Sequence, residues 1–339
     1  MGIVLLGVFL VGGFFAASAL RDFYGWGVLL AEYSWGHMAY QLGPAFAAVT
    51  LLCILWVFIF ERRGLGAIGL NGGFFGRFLR GYLVGLGFLG AVVGIIAYLG
   101  GYEVEGAGSL AMTALIPIGV MLVAFIIQGS TEEILFRGWL MSLISSRHGA
   151  FWGVLVTSVL FGVLHGSNIP PGQALYLGMA NIVLVGLFLG IYAFKEGSIW
   201  GVCGFHAAWN WLLGVGFGLE VSGGLIVEQP LIVDLASSNS VDWWITGGPF
   251  GPEASIVTAA VFVTGCVIVL IFGRGADFGV EGSDEDAGKA FGRHVQYLRL
   301  LCRGCFFSLR RDRTHRSGLG SVNRSCLTIR CRSRASSSR

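Results

Sequence analysis

Apolar runs of about 20 residues recur along this chain, at roughly 3–20, 41–60, 82–100, 110–131, 150–165, 173–194, 199–216 and 255–273. A helix rises 1.5 Å per residue, so about 20 apolar residues cross the hydrocarbon core of a bilayer. Eight such runs leave few options. Backbone groups inside lipid must be satisfied within the segment, which restricts spanning structures to helices and closed barrels. The runs are too long and too continuous for barrel strands. The expected fold is therefore all-α, a polytopic transmembrane bundle of about eight spans. Composition agrees: 55% of residues are hydrophobic and only 12% charged, against about 25% charged in ordinary soluble domains. Coiled coil, intrinsic disorder and a soluble enzyme are excluded.

Charge divides the chain. Lys289 and twelve Arg against Asp312 give residues 289–339 a charge of +12; the whole chain sums to +3, so the rest carries −9. Three domains are expected: N-terminal spans over 1–109, a second transmembrane domain over 110–274, and an acidic linker with a basic tail over 275–339. The tail holds Cys302, Cys305, Cys326 and Cys331. Paired Cys can form a zinc ribbon, but the second spacing is loose, and Arg and Ser dominate. A disordered segment drawn to anionic lipid is the favoured reading. Cys53, Cys203 and Cys266 lie in apolar runs and read as packing residues.

Loop charges set the expected orientation. Arg62, Arg63, Arg77, Arg80, Arg147, Lys195 and Arg274 fall in alternate connections, and only the loop at 21–40, with Arg21, is ambiguous. The loops at 101–109 and 217–254 carry acids and no base. This pattern predicts an integral protein of the cell membrane with both termini cytoplasmic. Ala17-Ser18-Ala19 resembles a signal-peptidase site, but no basic residue precedes the first run, so a retained span is favoured. Membrane lipid is the expected surroundings, and no nucleic acid is expected as a partner. Oligomeric state is left open.

Ionisable groups inside spans are costly and mark functional sites by default. Three clusters stand out. Glu132 and Glu133 precede Arg137; Glu133 and Arg137 are i,i+4 with the acid first, the favourable order for an ion pair. That leaves Glu132 free to face a cavity as a general base or acid. Phe161 and His165 share a helix face, as do His206 and Asn210. Read singly, the first and third clusters serve equally well as glue between helices, and a lone His such as His165 at a span end is more often a packed or interfacial residue. Read together, two carboxylates, two imidazoles and an amide suit hydrolysis. Glu or His can polarise a water, and His with Asn can donate to an oxyanion. Zinc can be held by His165, His206 and a Glu, although the spacing is not that of HExxH.

These residues, as EExxxR (Glu132, Glu133, Arg137), FxxxH (Phe161, His165) and HxxxN (His206, Asn210) in that order, resemble the CPBP family. That family comprises intramembrane proteases, including type II CAAX prenyl endopeptidases and Abi-type bacteriocin-processing relatives. Phe136-Arg137-Gly138, Gly197-Ser198-Ile199-Trp200 and the stretch Thr246 to Glu253 are similar to its flanking text, and the resemblance covers about residues 110–270. It implies that Glu132 activates water with help from His165, that His206 and Asn210 stabilise the oxyanion, and that Glu133 and Arg137 hold the site. It implies zinc on Glu132, His165 and His206 in the metalloprotease description, and no metal in the alternative glutamate mechanism. The implied substrate is a membrane-associated or lipid-anchored peptide or protein. The fourth run is expected to continue as a helix to about 146, since no Pro follows Pro117 before Ser145-Ser146. The charge pattern places Glu132 toward the cytoplasmic end of its span, so the cavity is expected to open there. Two other readings compete: a non-proteolytic adaptor or immunity protein of the same fold, and a proton-coupled transporter. The latter is disfavoured by the missing internal repeat.

Overall fold

The computed structural model describes residues 2–24, 35–224, 226, 230–273, 307–308 and 328–329. The acidic linker and the tail cysteines lie outside the described residues. Two units are distinguished, 1–279 and 280–339. Within the second, strands Phe307–Ser308 and Thr328–Ile329 pair antiparallel.

The first unit is a helix bundle. Among the described residues, seven helices are long and apolar enough to cross a membrane. They include α1 (Gly2–Phe23), α2 (Trp35–Ile59), α3 (Phe74–Tyr98), α4 (Met112–His148) and α6 (Gln173–Glu196), with α5 (Ala150–His165) and α8 (Ile256–Phe272) inside the other two. The protein is thus an integral membrane protein built from helices. The expected span at 199–216 differs: it forms twelve α-helical residues, α7 (Trp200–Trp211), then a five-residue π turn, Leu212–Gly216. Residues Gly201 to Asn210 are all buried, because α7 packs against α3, α4 and α6. A helix wrapped in protein needs neither the length nor the apolarity of one facing lipid.

Two short strands were not anticipated. β1 (Tyr102–Ala107) pairs antiparallel with β2 (Val233–Ser237). The helices α4, α5, α6 and α7 run between them. For the strands to meet, those helices must make an even number of passes, so α7 counts as one. The pairing therefore puts the two acidic loops at one end of the bundle.

Helix contacts rely on small residues, as expected where lipid supplies no hydrophobic drive between helices. A Cβ at Gly81 of α3 would overlap the Gly201 carbonyl of α7, and one at Gly85 would lie 2.5 Å from the Phe205 carbonyl oxygen. Lipid-facing positions are the reverse, with Phe15 of α1 and Phe272 of α8 exposed.

Candidate active site

The Glu-Glu pair sits where α4 changes its winding. The α-helical part ends at Glu133, residues 134–140 form a π turn, and regular helix resumes at Met141. Such turns concentrate at functional sites, because the extra residue re-aims the side chains around it. Thr131 anchors the segment from behind, donating to the Ile127 carbonyl and accepting from Thr50 Oγ1 of α2.

Glu133 and Arg137 form the expected ion pair, Nη1 to Oε1 at 2.9 Å, and both side chains are fully buried. Arg137 Nη2 reaches the Gly186 carbonyl of α6 at 3.4 Å, and its Cζ lies 4.4 Å from the Phe161 ring centroid. That contact explains the aromatic residue of the second motif: Phe161 lays its face against the guanidinium and stands at 79° to the His206 ring, centroids 6.2 Å apart. The pair thus ties α4 to α5 and α6.

Both imidazoles are oriented by their Nδ1 atoms. His165 Nδ1 is 2.8 Å from the Phe161 carbonyl, and His206 Nδ1 is 2.9 Å from Glu133 Oε1. Each partner can only accept, so each Nδ1 carries the proton and donates. In the neutral rings Nε2 then presents a lone pair. Both Nε2 atoms face Glu132 Oε2, at 3.9 Å from His165 and 3.7 Å from His206. These separations exceed a hydrogen bond and suit a bridging water about 2.8 Å from each group. Glu132 Oε2 is buried and has no hydrogen-bond partner among the described residues, whereas Oε1 accepts from Gln128 Nε2 at 2.8 Å. Asn210 Nδ2 in turn donates to Gln128 Oε1 at 3.0 Å. The expected residues are therefore brought together: Glu132, Glu133 and Arg137 on α4, His165 on α5, and His206 and Asn210 on α7.

The donor types of Glu132, His165 and His206 suit zinc. Their spacing does not: tetrahedral zinc with bonds of about 2.0–2.1 Å needs ligand atoms about 3.3 Å apart. Among the described residues, no group of three His, Cys, Asp or Glu is arranged to hold a metal ion.

A cavity of about 50 Å³ is lined by His165, His206, Asn210, Gln128, Phe161 and Glu253, among others. One water needs roughly 10–15 Å³, so the space admits water and is too small for a peptide. Glu253, one of the acids of the 217–254 loop, turns inward. Its Oε1 accepts from Trp209 Nε1 at 3.3 Å, and its Oε2 accepts from Ser222 N at 2.6 Å. Asn181 of α6 fixes the backbone there, donating to the Glu253 and Ser255 carbonyls at 2.8 Å each.

Ser222 and Glu253 come from the acidic 217–254 segment, so the cavity lies at that end of the bundle. This corrects the expected opening at the Arg-rich end. The expectation placed Glu132 from the end of the apolar run at about 131. The helix continues past it as expected, to His148, which puts Glu132 sixteen residues, about 24 Å, from that helix end. His165 likewise closes α5 at the end away from Gly149.

Comparison with known proteins gives one finding. No curated protein and no solved structure matches the chain. The family model described as type II CAAX prenyl endopeptidase Rce1-like matches residues 114–212. That stretch runs from α4 through α7 and contains Glu132, Glu133, Arg137, His165, His206 and Asn210, so the segment carrying the whole constellation is the one that matches this endopeptidase family.

Proposed function

We propose that the protein is an intramembrane endopeptidase acting on membrane-associated or lipid-anchored peptide substrates. The observation that carries this reading is the convergence of Glu132 Oε2 on His165 Nε2 and His206 Nε2, the two imidazoles lining a water-sized cavity beside it. A buried carboxylate oxygen with a free lone pair is a general base for water, provided substrate brings its carbonyl within reach.

The steps follow from the donors. Water, held by Glu132 with His165 alongside, attacks the scissile carbonyl carbon and gives its proton to Glu132. The carbonyl oxygen becomes an oxyanion and accepts hydrogen bonds from Asn210 and His206. Since His206 Nδ1–H is committed to Glu133, His206 donates through Nε2 only as the imidazolium. Collapse of the intermediate breaks the C–N bond, and the proton on Glu132 passes to the leaving nitrogen. Glu133 and Arg137 hold His206 and Phe161 in place throughout. Burial strengthens each of these interactions relative to water.

The membrane assignment extends to the cell membrane with both termini cytoplasmic, on the loop-charge pattern. Under that orientation the cavity opens on the outer side, and a substrate segment reaches it from there. The test uses purified protein in liposomes with a library of membrane peptides. Wild type cleaves a subset, and Glu132→Ala cleaves none of it. Unchanged cleavage by Glu132→Ala would remove Glu132 as the base.

A further inference from the structure

Gln128 belongs to none of the three motifs, yet it touches two of them. It lies one helical turn before Glu132 on α4 and points at the same cavity. Its Nε2 donates to Glu132 Oε1 at 2.8 Å, and its Oε1 accepts from Asn210 Nδ2 at 3.0 Å. Gln128, Glu132 and Asn210 are 6%, 8% and 6% exposed, so bulk water has little access to these bonds.

The direction of the chain is forced. An ionised carboxylate only accepts, so Gln128 must turn its NH2 toward Glu132. Its carbonyl then faces α7, and Asn210 must answer with its own NH2. Two orientations that matter for hydrolysis follow. Glu132 has Oε1 occupied and Oε2 left toward the two imidazoles. Asn210 has its amide turned donor-side inward, with one N–H spent on Gln128 and the other left over. An Asn in the opposite rotamer would present an acceptor to a developing oxyanion and repel it.

We propose that Gln128 is a positioning residue that couples the base to the oxyanion donor, fixing both amide and carboxylate through one hydrogen-bonded relay between α4 and α7. The inference rests on the hydrolytic reading above. A plain interhelical hydrogen bond would hold the helices together but would not tie the effects of Gln128 and Asn210 on turnover to each other. Coupling makes the two residues act as a unit, and residues that act as a unit are strongly non-additive in kcat.

The experiment measures kcat and KM in liposomes for wild type, Gln128→Met, Asn210→Ala and the double variant, with Glu132→Ala alongside. Met keeps the length and burial of Gln and removes both hydrogen bonds. The expected result is a kcat loss of roughly 10- to 100-fold in Gln128→Met with KM within about twofold, and a double variant within about twofold of the worse single variant. Gln128→Asn, which keeps the amide but falls short of both partners, is expected to lose kcat similarly. It serves as the second variant if Gln128→Met does not fold, as judged by labelling of the buried Cys203 thiol. Wild-type kcat in whichever variant folds, or losses that multiply in the double variant, would overturn the proposal. If Glu132→Ala is inactive while Gln128→Met turns over normally, the positioning role alone fails. If Glu132→Ala cleaves like wild type, the hydrolytic reading itself fails.

Discussion

Replacing Arg137 by Met should destabilise the bundle far more than the loss of one hydrogen bond. Arg137 and Glu133 are both fully buried, and the Nη1 to Oε1 distance is 2.9 Å. Removing the cation leaves Glu133 inside the protein with one imidazole as its remaining polar neighbour. Breaking a buried pair from one side costs about 3–5 kcal/mol, because the surviving charge stays desolvated. The lost contact with the Phe161 ring at 4.4 Å adds up to about 2 kcal/mol. At roughly 2–4 °C per kcal/mol for a chain of this order of size, the unfolding midpoint should fall by about 10 °C or more. The assay is thermal unfolding in detergent followed by a thiol-reactive fluorophore, because Cys53 and Cys203 are buried and free. The decisive comparison is Glu133→Gln/Arg137→Met. It removes both charges and keeps an acceptor for His206 Nδ1, so it should recover most of the loss while still lacking the guanidinium. A midpoint for Arg137→Met within about 1 °C of wild type would refute the reasoning. So would a double variant less stable than the single one.

Other perturbations follow from the same geometry. A Cβ on Gly129 would lie 3.1 Å from Ala207 N and 3.3 Å from His206 Cβ; Gly129→Val should therefore cost about 1–3 kcal/mol and abolish cleavage, read from the same thermal assay and from product formation. Glu253→Ala strips the acceptor from Ser222 N and Trp209 Nε1, at about 1–3 kcal/mol for each donor left buried; hydrogen exchange at Ser222 should accelerate, and unchanged protection would show that Glu253 does not hold this turn. Chelator treatment should leave cleavage within about twofold, given ligand separations wider than zinc requires; loss of activity restored by added zinc, with zinc found by elemental analysis, would instead assign Glu132, His165 and His206 as ligands.

Much of this was legible in the chain itself, and the exceptions have physical causes. Long apolar runs identified the spans because lipid leaves the backbone no alternative. The pairs Glu133 with Arg137, Phe161 with His165 and His206 with Asn210 were readable from i,i+4 spacing, since a helix fixes that geometry locally. Gln128 stands at the same spacing from Glu132 and carried the same signal, but an uncharged amide at a span does not attract the suspicion that a carboxylate does. Glu253 offered no periodic signal: its inward turn depends on Asn181, Trp209 and Ser222, which are distant in sequence. The pairing of β1 with β2 was hidden for the same reason, since each strand is only five or six residues long and its partner lies across four helices. The end at which the cavity opens was hidden for a related reason: the apolar run stops at the carboxylates even though the helix is expected to continue, and the 217–254 segment that closes the cavity is distant in sequence.

The central claim is that Glu132 activates a water that ends up in the product. It is tested most directly by cleavage of a membrane peptide in liposomes prepared in water enriched in oxygen-18, with mass spectrometry of the new carboxyl terminus. The account predicts one labelled oxygen per cleavage by wild type, and a rate for Glu132→Gln lower by about 10³-fold or more, a loss of the size seen when essential hydrolytic groups are removed. Labelled product formed by Glu132→Gln at the wild-type rate would contradict it.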